Sequence, residues 1–348
     1  MRRWTSWRTG SAHRNSARPR PMTNSSSDRP GEFELIAKLF APLSADAPGS
    51  YGLTDDAATV EVQQGDVLVI TADLLSAGTH FRADDPPDLI ARKSLRVNLS
   101  DLAAKGAVPL GYTLSLALPR DWTLPWMDAF TAGLRADQDE FSIALLGGDT
   151  TSTDGPLTIA ITALGAVPTG NMIRRNGAKP GDLVFVSGSI GDAGMGLAAL
   201  KGELSTLAAK DRETLISRYH LPSPRMALGR SLRGVATAAL DVSDGLLADL
   251  GHIAETSHVG ISIQADRIPI SEALRAAGGS AVPAATAGDD YEIAFTVPAA
   301  KREEVSRIAA LAGTQVTEIG RVASGGGVVL LDSAGREIPV SRTGYRHF

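Results

Sequence analysis

Carboxylates placed at turns and element ends constrain this chain more than any other feature. The stretch VNLSDLAAKGA (97–107) centres on Asp101, with Ser100 a candidate cap for a short helix and Ala103, Ala104 and Ala107 on its small-residue faces. Asp55, Asp56 and Asp73 lie upstream, and Asp149, Asp241 and Asp244 downstream; few have a basic neighbour in sequence. A fold that gathers such groups raises their pKa values by mutual repulsion unless cations intervene. Hard oxygen donors of this type suit Mg²⁺ or Ca²⁺, and Mg²⁺ commonly completes its shell with phosphate oxygens. The pattern points to an acidic, Mg²⁺-mediated phosphate site. The competing reading of each position is a plain turn aspartate.

Composition narrows the field. A chain of 348 residues has room for two domains of ordinary size. It contains no Cys, which removes disulfides, thiolate metal sites, Fe–S clusters and Cys nucleophiles. No apolar run approaches the roughly 18 residues of a membrane-spanning helix. The net charge of −5 conceals an asymmetry: seven Arg and one acid fall in the first thirty residues, leaving 27 basic against 38 acidic residues beyond them. An acidic body argues against a nucleic-acid groove and for metal-assisted handling of anions.

Residues 1–30 are Arg-, Ser- and Pro-rich without hydrophobic periodicity, and lack the apolar region of a secretory signal. They read as a disordered leader, with Met22 an alternative start; an organellar transit peptide is the other reading. Residues 31–43 place Phe33, Ile36, Phe40 and Leu43 at helical spacing. GLTDDAATVEV (52–62) reads as turn into strand and DVLVITADLL (66–75) as a second strand, a hairpin-like pair that brings Asp56 and Asp73 together. A helix over 86–97, a strand over 111–119, a helix over 124–139 and strands over 142–150 and 157–167 follow. The Pro-, Gly- and Arg-rich stretch 168–182 marks a domain boundary. Beyond it, 183–202 and 236–258 each read as strand, turn, helix; GISIQ, DDYEIAFTVP and GGGVVLL read as strands, with a helix near 300–312. The expected fold is α/β: a disordered leader (1–30), an N-terminal α/β domain (31–167) and a C-terminal α/β domain (168–348).

Several familiar nucleotide and hydrolase signatures are missing. There is no Gly-Lys dipeptide and so no Walker A loop, no GxGxxG, no HExxH and no GxSxG. The turn SGSIGDAGMG either offers backbone N–H groups to phosphate or packs a strand tightly against a helix. In DVSDGL, Ser243 or Asp244 either serves the site or caps the next helix. GGDT (147–150) puts Asp149 at a strand end, as a site residue or a simple turn. Lys93 and Lys105 read as solvated helix lysines, and His80 alone as a surface histidine.

The segments GLTDDAA, TADLLSAGTHF, NLSDLAAKGA, LLGGDTT, RRNGAKPGD, LDVSDGLLADLGHI and AGDDYEIAF occur in that order, and the chain closes on GYRHF. Together they resemble the thiamine-monophosphate kinase family, within the superfamily of aminoimidazole ribonucleotide synthetase and selenide, water dikinase. The resemblance spans about residues 31–348. It implies ATP-dependent phosphorylation of thiamine monophosphate to thiamine diphosphate by a cytoplasmic homodimer joined through its N-terminal sheets, acting on neither nucleic acid nor membrane. On matching positions it implies that Asp56, Thr71, Ala72 (through its backbone), Asp73, Asp101, Asp149, Asp241 and Asp244 form a Mg²⁺ and phosphate shell. Gly148, Asp149, Arg175 and Ser243 would contact ATP, with Asp149 and Arg175 acting in catalysis. His80, Asp289 and Tyr345 would line the substrate pocket.

Two positions depart from the family pattern. Its usual Gly-Gly-Glu-Asp is here Ala287-Gly288-Asp289-Asp290, one methylene shorter at the charge expected to meet the cationic thiamine moiety. Its Ser/Thr-Thr-Asp is here Thr71-Ala72-Asp73, without the central hydroxyl. Among alternatives, selenide, water dikinase is disfavoured by the absence of Cys, and aminoimidazole ribonucleotide synthetase by the HF, DDYE and GYxHF pattern. A nucleotide-binding sensor without turnover is disfavoured by the retention of nearly every acidic position.

Overall fold

The computed structural model describes residues 30–345; all but the last residue of the leader, and the end of GYRHF, lie outside the described residues. The ordered chain opens with a short helix, α1 (Glu32–Leu35), which widens over Ile36–Phe40, where Ala41 N–H bonds Ile36 O five residues back. That wider turn shifts the phase of the apolar face. Leu35, Phe40 and Leu43 are buried while Phe33 is 85% exposed, so the even helical face expected over 31–43 does not form. Residues 54–65 carry no strand. The expected hairpin is absent, and Asp56 sits in irregular chain rather than on a strand beside Asp73.

Four strands build the first sheet: β1 (Asp66–Ser76), β2 (Val108–Pro119), β3 (Leu145–Thr153) and β4 (Thr158–Pro168). Their order is β1-β4-β2-β3, with β2 and β3 parallel and the other pairs antiparallel. Alternation sorts the side chains to two faces. Ile159, Ile161, Leu114 and Leu116 turn to one face and are buried with Leu95, Leu99 and Leu102 of α2 (Pro87–Ala104) and Met127, Phe130 and Leu134 of α3 (Leu124–Phe141). Among the described residues, the opposite face is left exposed along β1. There Leu68, Ile70 and Leu74 of β1 are 40%, 61% and 63% exposed.

The second sheet is six-stranded, ordered β10-β7-β9-β5-β8-β6. Its strands are β5 (Leu183–Ser187), β6 (Ala238–Asp241), β7 (Gly260–Gln264), β8 (Ile293–Val297), β9 (Val316–Ala323) and β10 (Gly327–Leu331). Apolar cores lie on both of its faces, so β5, β6 and β8 are buried along their whole length. The helices are α4 (Asp192–Leu200), α5 (Ala209–His220), α6 (Met226–Ser231), α7 (Leu246–Ser257), α8 (Glu272–Ala276), α9 (Ala281–Ala284) and α10 (Arg302–Leu311). The chain thus holds two mixed α/β units.

Helix α2 joins them. Ser100 and Asp101 do not open a separate short helix: they lie in the last turns of α2, and Ser100 is a buried interior residue rather than a cap. The end of α2 is so rich in small residues that α6 comes within backbone contact. A Cβ on Gly229 would lie 1.8 Å from Ala103 O. Ala103 and Ala104 are buried with Phe185, Phe295 and Leu232 of the second unit. Packing of this closeness carries Asp101 to the seam between the two sheets.

Candidate active site

Alternation in β1 turns Thr71 and Asp73 toward α2, the same way as buried Val69 and Leu75. Thr71 Oγ1 donates to Asp101 Oδ2. Asp73 titrates near pH 6 because burial disfavours its charge and Asp101 repels it. From the second unit, β6 ends on buried Asp241, whose pKa burial and Asp101 push well above the ordinary carboxylate range. Lys105 answers from the C-terminal end of α2. Its ammonium donates to Ala239 O at 2.8 Å, and burial together with nearby Arg175 lowers its pKa to about 8 against the opposing pull of Asp241 and Asp101. The solvated position expected for Lys105 is therefore replaced by a part-buried one. Three carboxylates from β1, α2 and β6 converge, with Lys105 and Arg175 beside them.

The acidic turn after β6 adds Ser243 and Asp244. Neither caps α7: the job falls to Asp249, whose Oδ2 accepts from the N–H groups of Ser243, Asp244 and Gly245 at 3.0, 3.0 and 3.1 Å. Burial and Asp244 raise Asp249 to about pH 7, offset in part by those three donors. Ser243 O accepts Asp289 N–H at 2.7 Å, and Asp244 O accepts Tyr345 N–H at 2.8 Å. Gly288 passes this turn so closely that a Cβ there would lie 2.5 Å from Ser243 O. The 287–291 loop and the chain end thus dock on the same turn.

These elements enclose a cleft of about 510 Å³. Asp73, His80, Ser243, Asp244, Asp289 and Tyr345 all line it. His80 Nδ1 accepts the N–H of Ser76, which assigns the proton of a neutral ring to Nε2. Asp289 is raised by burial, with Lys93 the chief opposing influence, and pairs with the Lys93 ammonium at 2.5 Å. Lys93 is 2% exposed, so it too departs from the solvated reading.

Asp56, Gly148 and Asp149 lie elsewhere, around a separate cleft of about 270 Å³. β1 and β3 are opposite edges of the first sheet, three strand spacings or roughly 14 Å apart. Asp149 pairs in register with exposed Ser115, on the uncovered face, whereas Asp73 pairs with buried Ile161. Ala72 also turns to the uncovered face, opposite Thr162. The chain alone therefore brings together Thr71, Asp73, Asp101, Asp241 and the cleft residues, and does not bring Asp56 or Asp149 to them. The turn SGSIGDAGMG is filled by protein: Gly191 N–H meets both oxygens of buried Asp290 at 3.0 and 2.8 Å, and Ser189 and Ser271 bond Asp192 at 2.5 and 2.6 Å. Ala193 and Gly194 of the same segment nevertheless line the larger cleft, so both readings stay open there.

The family model for the AIR synthase related protein N-terminal domain matches residues 54–167, and that for the corresponding C-terminal domain matches residues 179–333. The thiamine-monophosphate kinase of Caulobacter vibrioides is 42% identical over 325 residues, 91% of each chain. That of Salmonella typhimurium is 39% identical over 322 residues, 91% of this chain and 98% of the relative. The chain belongs to the thiamine-monophosphate kinase family. The crystal structure of the Stenotrophomonas maltophilia family member superposes with a TM-score of 0.77 at 42% identity, covering 86% of this chain and 96% of that one. The structure of AaThiL complexed with AMPPCP and TMP gives 0.74 at 30% identity, covering 91% and 94%. The hydrogenase maturation protein HypE of E. coli, at 22% identity and 0.74, shares the fold alone.

Within this kinase-family fold, three residues of the cleft region escaped the sequence reading. Asp249 sits five residues beyond Asp244 on a helix and looks like an ordinary first-turn acid. Tyr219 and Tyr291 line the cleft from α5 and from the 287–291 loop. Asp249 falls within LDVSDGLLADLGHI and Tyr291 within the DDYE segment, whereas Tyr219 carries no local signal. Among the described residues no helix is long and apolar enough to cross a membrane.

Proposed function

We propose that the two clefts serve one reaction, ATP-dependent phosphorylation of thiamine monophosphate to thiamine diphosphate by direct in-line transfer. The observation that carries this is the convergence of Asp73, Asp101 and Asp241 beside a cleft lined by His80, Asp289 and Tyr345, in a chain of this family. A terminal phosphate oxygen of thiamine monophosphate attacks the γ-phosphorus. The bond from that phosphorus to the β–γ bridging oxygen breaks, and ADP leaves. A phosphate monoester has a second pKa of about 6, so the nucleophile is already largely deprotonated at neutral pH and no dedicated base is required.

The donor set fits Mg²⁺. Every side-chain donor is oxygen, and burial together with the Asp101 charge raises the pKa values of Asp73 and Asp241, as expected where a cation would neutralise the cluster. Thr71, Ala72 through its carbonyl, Asp73, Asp101, Asp241 and Asp244 would hold ions on one side, and Asp56 and Asp149 on the other. Bound Mg²⁺ supplies charge neutralisation to the phosphates. Gly148, Arg175 and Ser243 would contact ATP. Arg175, beside Lys105, offsets charge on the transferring group, and His80, Asp289 and Tyr345 hold the thiamine end.

The placement of the two groups at opposite edges of the first sheet, roughly 14 Å apart, supports a homodimer. Pairing two copies through the uncovered face of the first sheet covers Leu68, Ile70 and Leu74, and lets Asp56 and Asp149 of one protomer meet the Asp101 cluster of its partner. On this reading residues 31–167 form the nucleotide and metal domain and residues 168–348 the second domain. The direct test offers the protein ATP, Mg²⁺ and either thiamine monophosphate or free thiamine. Diphosphate formed from the monophosphate alone is the expected result; ATP consumption without thiamine diphosphate would refute the reading.

A further inference from the structure

Lys93 lies in mid-helix on α2, where periodicity and packing would be satisfied by Leu or Met. Instead an ammonium is buried there, 2% exposed, which is costly unless it is paired. Its two partners both face the substrate cleft. The Nζ atom lies 2.5 Å from Asp289 Oδ2 and 3.7 Å from the centre of the Tyr219 ring. Such a cation over an aromatic face is held electrostatically as well as by the carboxylate.

Each partner is fixed from behind. The Tyr219 hydroxyl donates to Asp85 Oδ2 at 3.4 Å, while Asp85 also receives Arg82 N–H at 2.9 Å and meets His220 Nε2 at 3.1 Å. Asp289 has φ +76° and Tyr291 φ +52°, left-handed values that non-glycine residues hold only when the surroundings impose them. Bonds from Asp289 N–H to Ser243 O and from Tyr291 N–H to Val242 O, 2.7 and 2.8 Å, impose them here. The Asp289 side chain keeps 28% exposure, on the cleft.

We infer that Lys93 is a positioning residue: it anchors the Asp289 carboxylate at the cleft wall, so that the site selects a substrate whose organic portion is cationic. This deepens the proposed function and rests on it. Lys93 also compensates for the shorter Asp289, because the carboxylate is drawn to one fixed place rather than reaching on a longer arm. Lys93→Met leaves a partly buried acid without its ammonium partner, so the carboxylate is no longer held in one place and its attraction for a cationic ring weakens.

The test compares wild type, Lys93→Met, Lys93→Arg, Asp289→Asn and the Lys93→Met/Asp289→Asn double variant. Steady-state constants are measured for thiamine monophosphate and for ATP. Inhibition is measured with an isosteric monophosphate whose thiazolium nitrogen is replaced by carbon, so that its ring is neutral. Lys93→Met should raise KM for thiamine monophosphate about tenfold or more, leave KM for ATP within about twofold, and weaken the preference for the cationic over the neutral ring. Lys93→Arg should recover part of that preference, and the double variant should be no worse than Lys93→Met alone. A strut that merely joins the two units would move both KM values and the thermal midpoint together without changing the preference; that result overturns the inference. If Lys93→Met does not fold, an Asp289→Asn enzyme that keeps the cationic preference overturns it equally. A wild-type protein that does not turn over thiamine monophosphate refutes the functional reading and this inference with it, whereas an active wild type with an unaffected Lys93→Met refutes the inference alone.

Discussion

Asp73 and Asp249 carry a pH signature that follows from where they sit. Their pKa values rise from an ordinary 3.8 to about 6 and about 7. Between those values the folded chain holds protons that the unfolded chain has already released, so stability is lost as pH climbs through that window. Without divalent cations, the thermal midpoint should therefore fall from about pH 5 to about pH 8, and Mg²⁺ should recover most of the loss at the upper end. A midpoint that rises across that range in metal-free buffer would contradict the assignment. The aspartates were legible in sequence as an ordered set of segments rather than singly, since any one of them could be a plain turn residue. Lys93 was not legible, since its partner lies 196 residues away and nothing local distinguishes it from a solvated helix lysine. The clustering of Asp56 with Asp73 failed for a related reason: it assumed a strand at 52–62 that the fold does not form.

Among the elements, α2 does the most positioning, and its reach depends on how closely α6 can approach. Gly229 has no room for a side chain against Ala103 O. Gly229→Ala should destabilise the protein by about 1–3 kcal/mol, the usual cost of overpacking a tight contact, and should lower turnover by displacing Asp101 relative to Asp241. Urea unfolding and steady-state kinetics on the same preparation check both; an unaltered midpoint with unaltered turnover would show that the seam is more plastic than its geometry implies. Strands with two-residue alternation and long apolar-faced helices could be read from sequence, β1, β2, β4 and α3 among them. The single long α2 could not. Its buried Lys93, Arg96, Asn98 and Ser100 break the apolar pattern, and each lies buried between packed elements. β9 was missed because the VTEIGRVA segment alternates only weakly and is ordered by β5 and β7 on either side.

At the scale of the molecule, two α/β units were readable from the change in composition at 168–182, but the separation of the site into two groups was not. Sequence order says nothing about which strands become sheet edges, and the order β1-β4-β2-β3 is what sends Asp73 and Asp149 to opposite sides. The central claim is that one catalytic site draws on both groups, from two protomers. The Asp149→Asn and Asp101→Asn proteins should each lose on the order of 10²-fold or more in turnover, as expected when an electrostatic contact to the transferring group is removed. Mixing the two inactive proteins under conditions of subunit exchange tests the claim. A mixed dimer would hold one site with both aspartates intact and one with neither, so random exchange should restore roughly a quarter of wild-type activity. No recovery, in a mixture shown by mass to contain mixed dimers, would mean that each site is built within a single chain and would contradict the account.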